Sequence, residues 1–152
     1  MNYQFRAATP EDIPACITLR GLTRENPASA ERLAELGVTV ESWSAQVRNQ
    51  ELTGILCEDK GQMAGYCFGD LHSGEIIVLA LLPAYEGQGI GRQLMHAVML
   101  QLRHAGHQRL FLGCSPDPAV RSHGFYRHLG WKPSGKTDRL GDEELEYFFA
   151  QH

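Results

Sequence analysis

The sequence predicts one mixed α/β (α+β) domain, a twisted sheet of six to seven strands with helices on both sides. Three observations carry this. Glu75 to Leu82 is an almost unbroken apolar run of strand-forming residues, the mark of a strand buried on both faces. Directly after it come closely spaced glycines and a helix whose apolar positions Ile90, Leu94, Val98 and Leu102 recur at helical spacing. Arg109 to Gly113 then reads as a strand, and a strand–helix–strand crossover needs a parallel partner, so it should lie parallel to the Glu75 strand.

The remaining elements follow in order. Tyr3 to Ala7 alternates weakly and reads as a first strand. Thr9-Pro10-Glu11-Asp12 carries a cap residue, a proline at the first helical position and acids in the first turn. Ile13, Cys16, Ile17 and Arg20 continue that helix, and Pro14 predicts an irregular opening turn. Asn26-Pro27 reads as a cap for a short helix with Leu33 and Leu36, stopped by Gly37. Thr39 caps a further helix with Val40, Trp43 and Val47 inward. Leu52 to Cys57 and Gln62 to Gly69 form a hairpin around Glu58-Asp59-Lys60-Gly61, and the turn Asp70 to Gly74 leads into the Glu75 strand. Short connections make these three strands antiparallel. The central helix runs to about Ala105 and stops at Gly106. A short helix follows Pro116 and Pro118 and ends at Leu129-Gly130. Trp131 onward is a strand, Gly135 to Asp142 a loop, and Glu144 to Phe149 a last strand with Leu145, Tyr147 and Phe149 on one face.

Composition narrows the class. The 152 residues suit one domain spanning 1–152, and 43% hydrophobic with 21% charged residues is ordinary for a globular chain. A net charge of −4 argues against a nucleic-acid partner, which needs a basic face. Cys16, Cys57, Cys67 and Cys114 form no C-x-x-C pair, so buried thiols are expected and no metal site. No signal peptide or membrane-length apolar run is read, which gives the expectation of a cytoplasmic protein with no membrane partner.

The chemistry is concentrated at Glu86-Gly87-Gln88-Gly89-Ile90-Gly91-Arg92. A strand, a glycine turn and a helix N-terminus make an anion site, because the first amides of a helix lack internal partners and carry the positive end of its dipole. Glycines let a phosphate approach the backbone. A dinucleotide fingerprint fails, since the sixth position from Gly87 is Arg92 and from Gly89 is Leu94. A P-loop fails for want of Gly-Lys-Ser/Thr. A nucleotide-binding oxidoreductase is the reading these failures disfavour.

The segment resembles the [Q/R]-x-x-G-x-[G/A] motif of the GNAT superfamily of N-acetyltransferases, with Glu86 where Gln or Arg is usual. A second segment, Arg121-Ser122-His123-Gly124-Phe125-Tyr126-Arg127-His128-Leu129-Gly130-Trp131, resembles the family's N-x-x-A-x-x-x-Y-x-x-x-G-[F/W]. Tyr126, Gly130 and Trp131 match, Ser122 stands for Ala, and Ala119 for Asn. The resemblance implies the GNAT-like sheet and acetyl-CoA as co-substrate. It places the coenzyme A pyrophosphate on the amides from Glu86 through Gly87, Gln88, Gly89, Ile90 and Gly91 to Arg92. The pantetheine arm lies by Ser122 and Tyr126. The resemblance further implies that the Glu75 strand bends away from the Arg109 strand, so that amides near Leu79, Ala80 and Leu81 lack sheet partners and meet the pantetheine amide and the thioester. It also implies a first helical region, between the first two strands, that borders the acceptor pocket.

Acyl transfer to an amine needs a proton removed and a proton given. Tyr126 is the candidate acid for the departing thiolate. Glu75, eleven positions before Glu86, matches the spacing of a general base in some members, and burial at the sheet would raise its pKa towards working pH. Asp70, His72 and a bound water are rivals, and His123 a weaker one. The acceptor, a small-molecule or protein amine, carries no motif. Exposed strand edges near the C-terminus favour a homodimer. The alternative from another class is a non-catalytic acyl-CoA-binding or regulatory domain on the same fold.

Overall fold

The computed structural model describes residues 3–24 and 27–150. Its strands are β1 (Tyr3–Ala7), β2 (Leu52–Asp59), β3 (Gln62–Asp70), β4 (Ile76–Leu81), β5 (Arg109–Cys114), β6 (Lys132–Thr137) and β7 (Glu143–Phe148). Its helices are α1 (Ile13–Arg20), α2 (Ala30–Glu35), α3 (Val40–Arg48), α4 (Ile90–His104) and α5 (Arg121–His128). Single turns of 3-10 helix, Pro10–Asp12 and Pro83–Tyr85, lead into α1 and follow β4.

The sheet is split. One antiparallel sheet runs β1-β2-β3-β4 and a second runs β5-β7-β6. They meet at one parallel bridge, Glu75 with Phe111, where the Phe111 amide donates to the Gly74 carbonyl at 3.3 Å. The expected parallel pairing of the Glu75 and Arg109 strands is therefore confined to one end. Its cause lies in β4, where Phe68 pairs Val78 and Gly69 pairs Ile76, leaving Ile77 as an extra residue. Such a bulge bends its strand and switches which face its side chains occupy. Ile76 accordingly belongs to one core, Val78 and Ala80 to the other, and Ile77 is 45% exposed.

The two cores lie on opposite faces of the first sheet. Ile55, Cys57 and Cys67 face α4 through Ile90, Leu94, Val98 and Leu102, and this core runs on to Leu110, Leu112 and Leu145 of the second sheet. Leu56, Tyr66 and Phe68 face the other way, onto Ile13, Cys16 and Ile17 of α1 and Trp43 of α3. The period-2 alternation of β2 and β3 makes this two-sided burial. Trp43 anchors the second core edge-on to Phe68 and Tyr66, with ring centroids 5.0 and 5.8 Å apart. Val40, expected inward beside it, is exposed because it occupies the first position of α3.

Two boundaries differ from those read in the sequence. The expected cap Asn26 lies outside the described residues; α2 is capped by Ser29, whose Oγ accepts from the Arg32 amide at 3.1 Å. The strand after Trp131 extends to Thr137, which pairs Glu143, so the loop is Asp138 to Asp142. As an edge strand with mostly exposed side chains, β6 carries no apolar alternation to announce it. Among the described residues no helix is long and apolar enough to cross a membrane.

Candidate active site

Where β4 leaves β5, a cleft of about 760 Å³ opens between them. One wall is residues 77–81 of β4; the other is Gly113, Cys114 and Ser115; α5 contributes Arg121, Ser122, Phe125 and Tyr126. The mouth is formed by Glu86, Gly87, Gly89, Ile90, Gly91 and Arg92 together with Arg20, Thr23 and Arg24.

The amide pattern of β4 follows from its register. The Leu82 amide donates to the Ala64 carbonyl at 2.9 Å, which makes Leu82–Ala64 a hydrogen-bonded pair. Antiparallel ladders alternate, so the next such pair is Ala80–Tyr66, while the amides of Leu79 and Leu81 point away from β3. No other described strand pairs with β4 on that side beyond Glu75. Leu79 and Leu81 thus present N–H donors to the cleft, and Ala80 spends its own within the sheet.

At the mouth, Gly87 and Gly89 have φ of +76° and +81°, which favours glycine, and a Cβ at either would meet open space. Gly91 has another reason. It lies in the first turn of α4, and a Cβ there would come within 3.3 Å of Leu81 Cδ1 and 3.4 Å of Phe125 Cζ. The turn therefore brings the first amides of the 15-residue helix α4 to the surface of the cleft with no side chain between. Gln88 stands apart: its side chain accepts from the Tyr3 hydroxyl and donates to the Ala84 carbonyl, and it does not line the cleft.

Glu86 is engaged by two arginines. Its Oε2 lies 3.0 Å from Arg24 Nε and 3.3 Å from Arg121 Nη1. The Tyr126 ring packs edge-on to Phe125 and Trp131, and its hydroxyl has no hydrogen-bond partner among the described residues. Burial pushes the phenol well above its ordinary pKa, and the neighbouring Cys67 and Cys114 thiols push the same way. The group is held neutral, with its proton available. Ser122 Oγ is 3.8 Å from Cys114 Sγ, placing both beside the cleft.

Glu75 is elsewhere. It sits at the closed end, in the bridge to Phe111, and does not line the cleft. Its carboxyl is half-buried and its pKa is raised, first by burial, then by Asp70, Glu144 and Asp138. Asp142, which does line the cleft, is raised by burial and by Asp138. The β6–β7 loop thus turns carboxylates toward the same end as Glu75. Asp70 instead accepts from the amides of His72 and Ser73, at 2.8 and 3.2 Å, which commits it to its own turn. Nothing in the chain marks Arg24, Cys114 or Asp142 as cleft residues, since each acquires its place through contacts distant along the chain.

A narrowing cleft with an anion-binding mouth and lone amides along one wall suits a long ligand with an anionic end and an amide-bearing arm. The family follows from comparison. The model of the Acetyltransferase (GNAT) family matches residues 17–131, and the chain belongs to that family. It is similar to uncharacterized N-acetyltransferases of Mycobacterium bovis and Mycobacterium tuberculosis, 36% identical over 85 residues, with 53% of this chain and 54% of each relative covered. The chain therefore spans about half the length of the curated relatives it matches. Its fold is that of the PaiA N-acetyltransferase of Thermoplasma acidophilum in complex with coenzyme A, at 16% identity and TM-score 0.74, with 98% of this chain and 100% of that one covered. It is also that of yncA of Salmonella typhimurium with its cofactor acetyl-CoA, at 18% identity and TM-score 0.75, with 100% and 96% covered.

Proposed function

We propose that the protein is an acetyl-CoA-dependent N-acetyltransferase that moves an acetyl group to a primary amine by direct attack. The observation that carries this is the pairing of the glycine turn at α4 with the unpartnered Leu79 and Leu81 amides on the opened edge of β4. The turn takes the diphosphate on its amides, at the positive end of the helix. The β4 amides take the pantetheine amide and the thioester oxygen, where negative charge grows as the amine adds.

The amine arrives as an ammonium and must lose a proton before attack. Glu75, or water held by it, takes that proton. Its raised pKa suits a base working closer to neutrality than a free carboxylate would. The nitrogen lone pair forms the C–N bond, the C–S bond breaks, Tyr126 gives its proton to the leaving sulfur, and the second proton shed by the acylated nitrogen restores the phenol. Burial keeps that phenol neutral, so it carries the proton the step uses. Asp138, Asp142 and Glu75 make the closed end acidic, which suits a cationic acceptor. The co-substrate complexes of PaiA and yncA support the choice of coenzyme A thioester.

The test is an acetylation screen with acetyl-CoA across amine classes, repeated with Tyr126→Phe. The wild type acetylates at least one class. The variant loses about 10²-fold or more in kcat while coenzyme A affinity stays within a few-fold. A protein that binds coenzyme A but acetylates no amine would favour a non-catalytic acyl-CoA-binding module.

A further inference from the structure

The two sheets meet where the Phe111 amide donates to the Gly74 carbonyl at 3.3 Å, a bond at the long end of the usual range. Glu75 leaves directly from this joint, so the turn Asp70 to Gly74 sets where its carboxyl sits. Most of the turn's bonds are local. The Asp70 amide donates to the Glu75 carbonyl at 2.8 Å, the Gly74 amide to the Asp70 carbonyl at 3.0 Å, and the Glu75 amide to Ser73 Oγ at 3.2 Å. His107 ties the turn to the approach to β5. Its Nε2 lies 2.7 Å from the Leu71 carbonyl oxygen. A carbonyl only accepts, so Nε2 carries the hydrogen. The other ring nitrogen packs on Gly74, where a Cβ would come within 3.2 Å of His107 Nδ1 and 3.0 Å of the Arg109 carbonyl oxygen.

The ring is presented by a fixed piece of backbone. At the end of α4 the Gly106 amide donates to the Arg103 carbonyl at 2.9 Å and the His107 amide to the Leu102 carbonyl at 3.2 Å, with Gly106 at φ +104°. That is a Schellman ending, whose last position commonly holds an apolar residue packed on the helix. A histidine there adds a donor, and the donor reaches Leu71. The Leu71 amide is held in turn by the Glu51 carbonyl, at 2.9 Å. Around Glu75 stand Asp70 from the turn, Asp138 from the β6–β7 loop and Glu144 from β7, the last paired with Arg109.

We infer that His107 is a positioning residue for the closed end of the cleft: its N–H clamps the Asp70 to Gly74 turn against the start of β5 and so fixes where the Glu75 carboxyl stands. The inference rests on the reading that Glu75, or water held by it, takes the proton of the amine. It adds that the base is placed by a side chain from beyond α4, on the opposite side of the joint. Without the clamp the long Phe111 bond holds the joint with less support, and water enters around Glu75.

The experiment compares the wild type with His107→Leu and His107→Gln. Leucine suits the position after the helix stop, so His107→Leu folds, but it has no donor. Glutamine carries an N–H as many bonds from Cα as His107 Nε2. His107→Leu lowers kcat roughly 10-fold or more. Its KM for acetyl-CoA stays as in the wild type, because the glycine turn and the Leu79 and Leu81 amides lie away from the joint. The acidic limb of its pH–rate profile moves to lower pH, since water admitted around Glu75 relieves the burial that raises its pKa. His107→Gln recovers most of kcat and the wild-type limb. Amide hydrogen exchange followed by NMR is several-fold faster at Phe111 in His107→Leu and near the wild-type rate in His107→Gln. The inference is overturned if His107→Leu keeps the wild-type kcat and acidic limb, whatever its thermal midpoint, or if His107→Gln is as impaired as His107→Leu. Unchanged exchange at Phe111 overturns the clamp itself, with or without turnover. A wild type that acetylates no amine fails earlier, at the proposed function, and a Glu75→Gln variant with full kcat fails at the base.

Discussion

Glu75 and Tyr126 owe their proposed roles to one effect of burial acting on two different acids. Burial favours the neutral form of each, so the phenol keeps its proton and the carboxyl releases its own later than usual. For Glu75 the sign can be followed into stability. A carboxyl whose folded pKa is raised holds its proton more tightly in the folded state, so stability falls as pH rises from the ordinary carboxylate range through the raised value. Glu75→Gln removes that loss. Its melting temperature should match the wild type near pH 4 and exceed it at pH 7, while kcat falls about 10²-fold or more and the acidic limb of the pH–rate profile changes. Loss of stability at pH 7, with rate unchanged, would return Glu75 to a structural role. Trp131 offers a separate test, since its Nε1 is buried with no partner among the described residues. Trp131→Phe removes an unmet donor along with some packing and should cost about 1 kcal/mol, against about 3–5 kcal/mol for Trp131→Ala, measured by denaturant unfolding. At this scale the sequence shows residues whose roles depend on their neighbours in the chain, such as Gly87 and Gly89. It hides Arg24 and Arg121, which meet Glu86 across 62 and 35 positions.

The strand β4 and the helix α4 were legible because each carries a complete local signal: apolar continuity in one, a 3.6-residue stripe and a glycine entry in the other. The opening between β4 and β5 was expected only through the family resemblance. It arises from the extra residue Ile77, and an apolar run gives no sign of which residue will fail to pair. The strand β6 was placed short because Lys132 to Thr137 alternates nothing. Gly91 yields the prediction at this scale. Ala is the better helix former by about 1 kcal/mol, and its Cβ would press on two flexible side-chain ends, Leu81 Cδ1 and Phe125 Cζ. Gly91→Ala should therefore melt no lower than the wild type, yet bind coenzyme A several-fold more weakly as Leu81 and Phe125 shift into the cleft. Gly89→Ala should instead lose about 1–2 kcal/mol, because its φ is left-handed.

Taken whole, the molecule is two antiparallel sheets hinged on one parallel bridge, with α4 packed under both. Fold class, strand count and helix order were readable in the chain, since each follows from local periodicity and short connections. The division of the sheet was not, because it is a property of how two strands fail to stay together. That division is what makes a site: a continuous sheet would use the Leu79 and Leu81 amides for its own ladder. The most direct test is an NMR titration of the ¹⁵N-labelled protein with coenzyme A, following backbone amides. The account predicts saturable shifts at Leu79, Leu81, Gly87, Gly89 and the first turn of α4. Saturable binding that leaves these amides unmoved, or no binding at all, would contradict it.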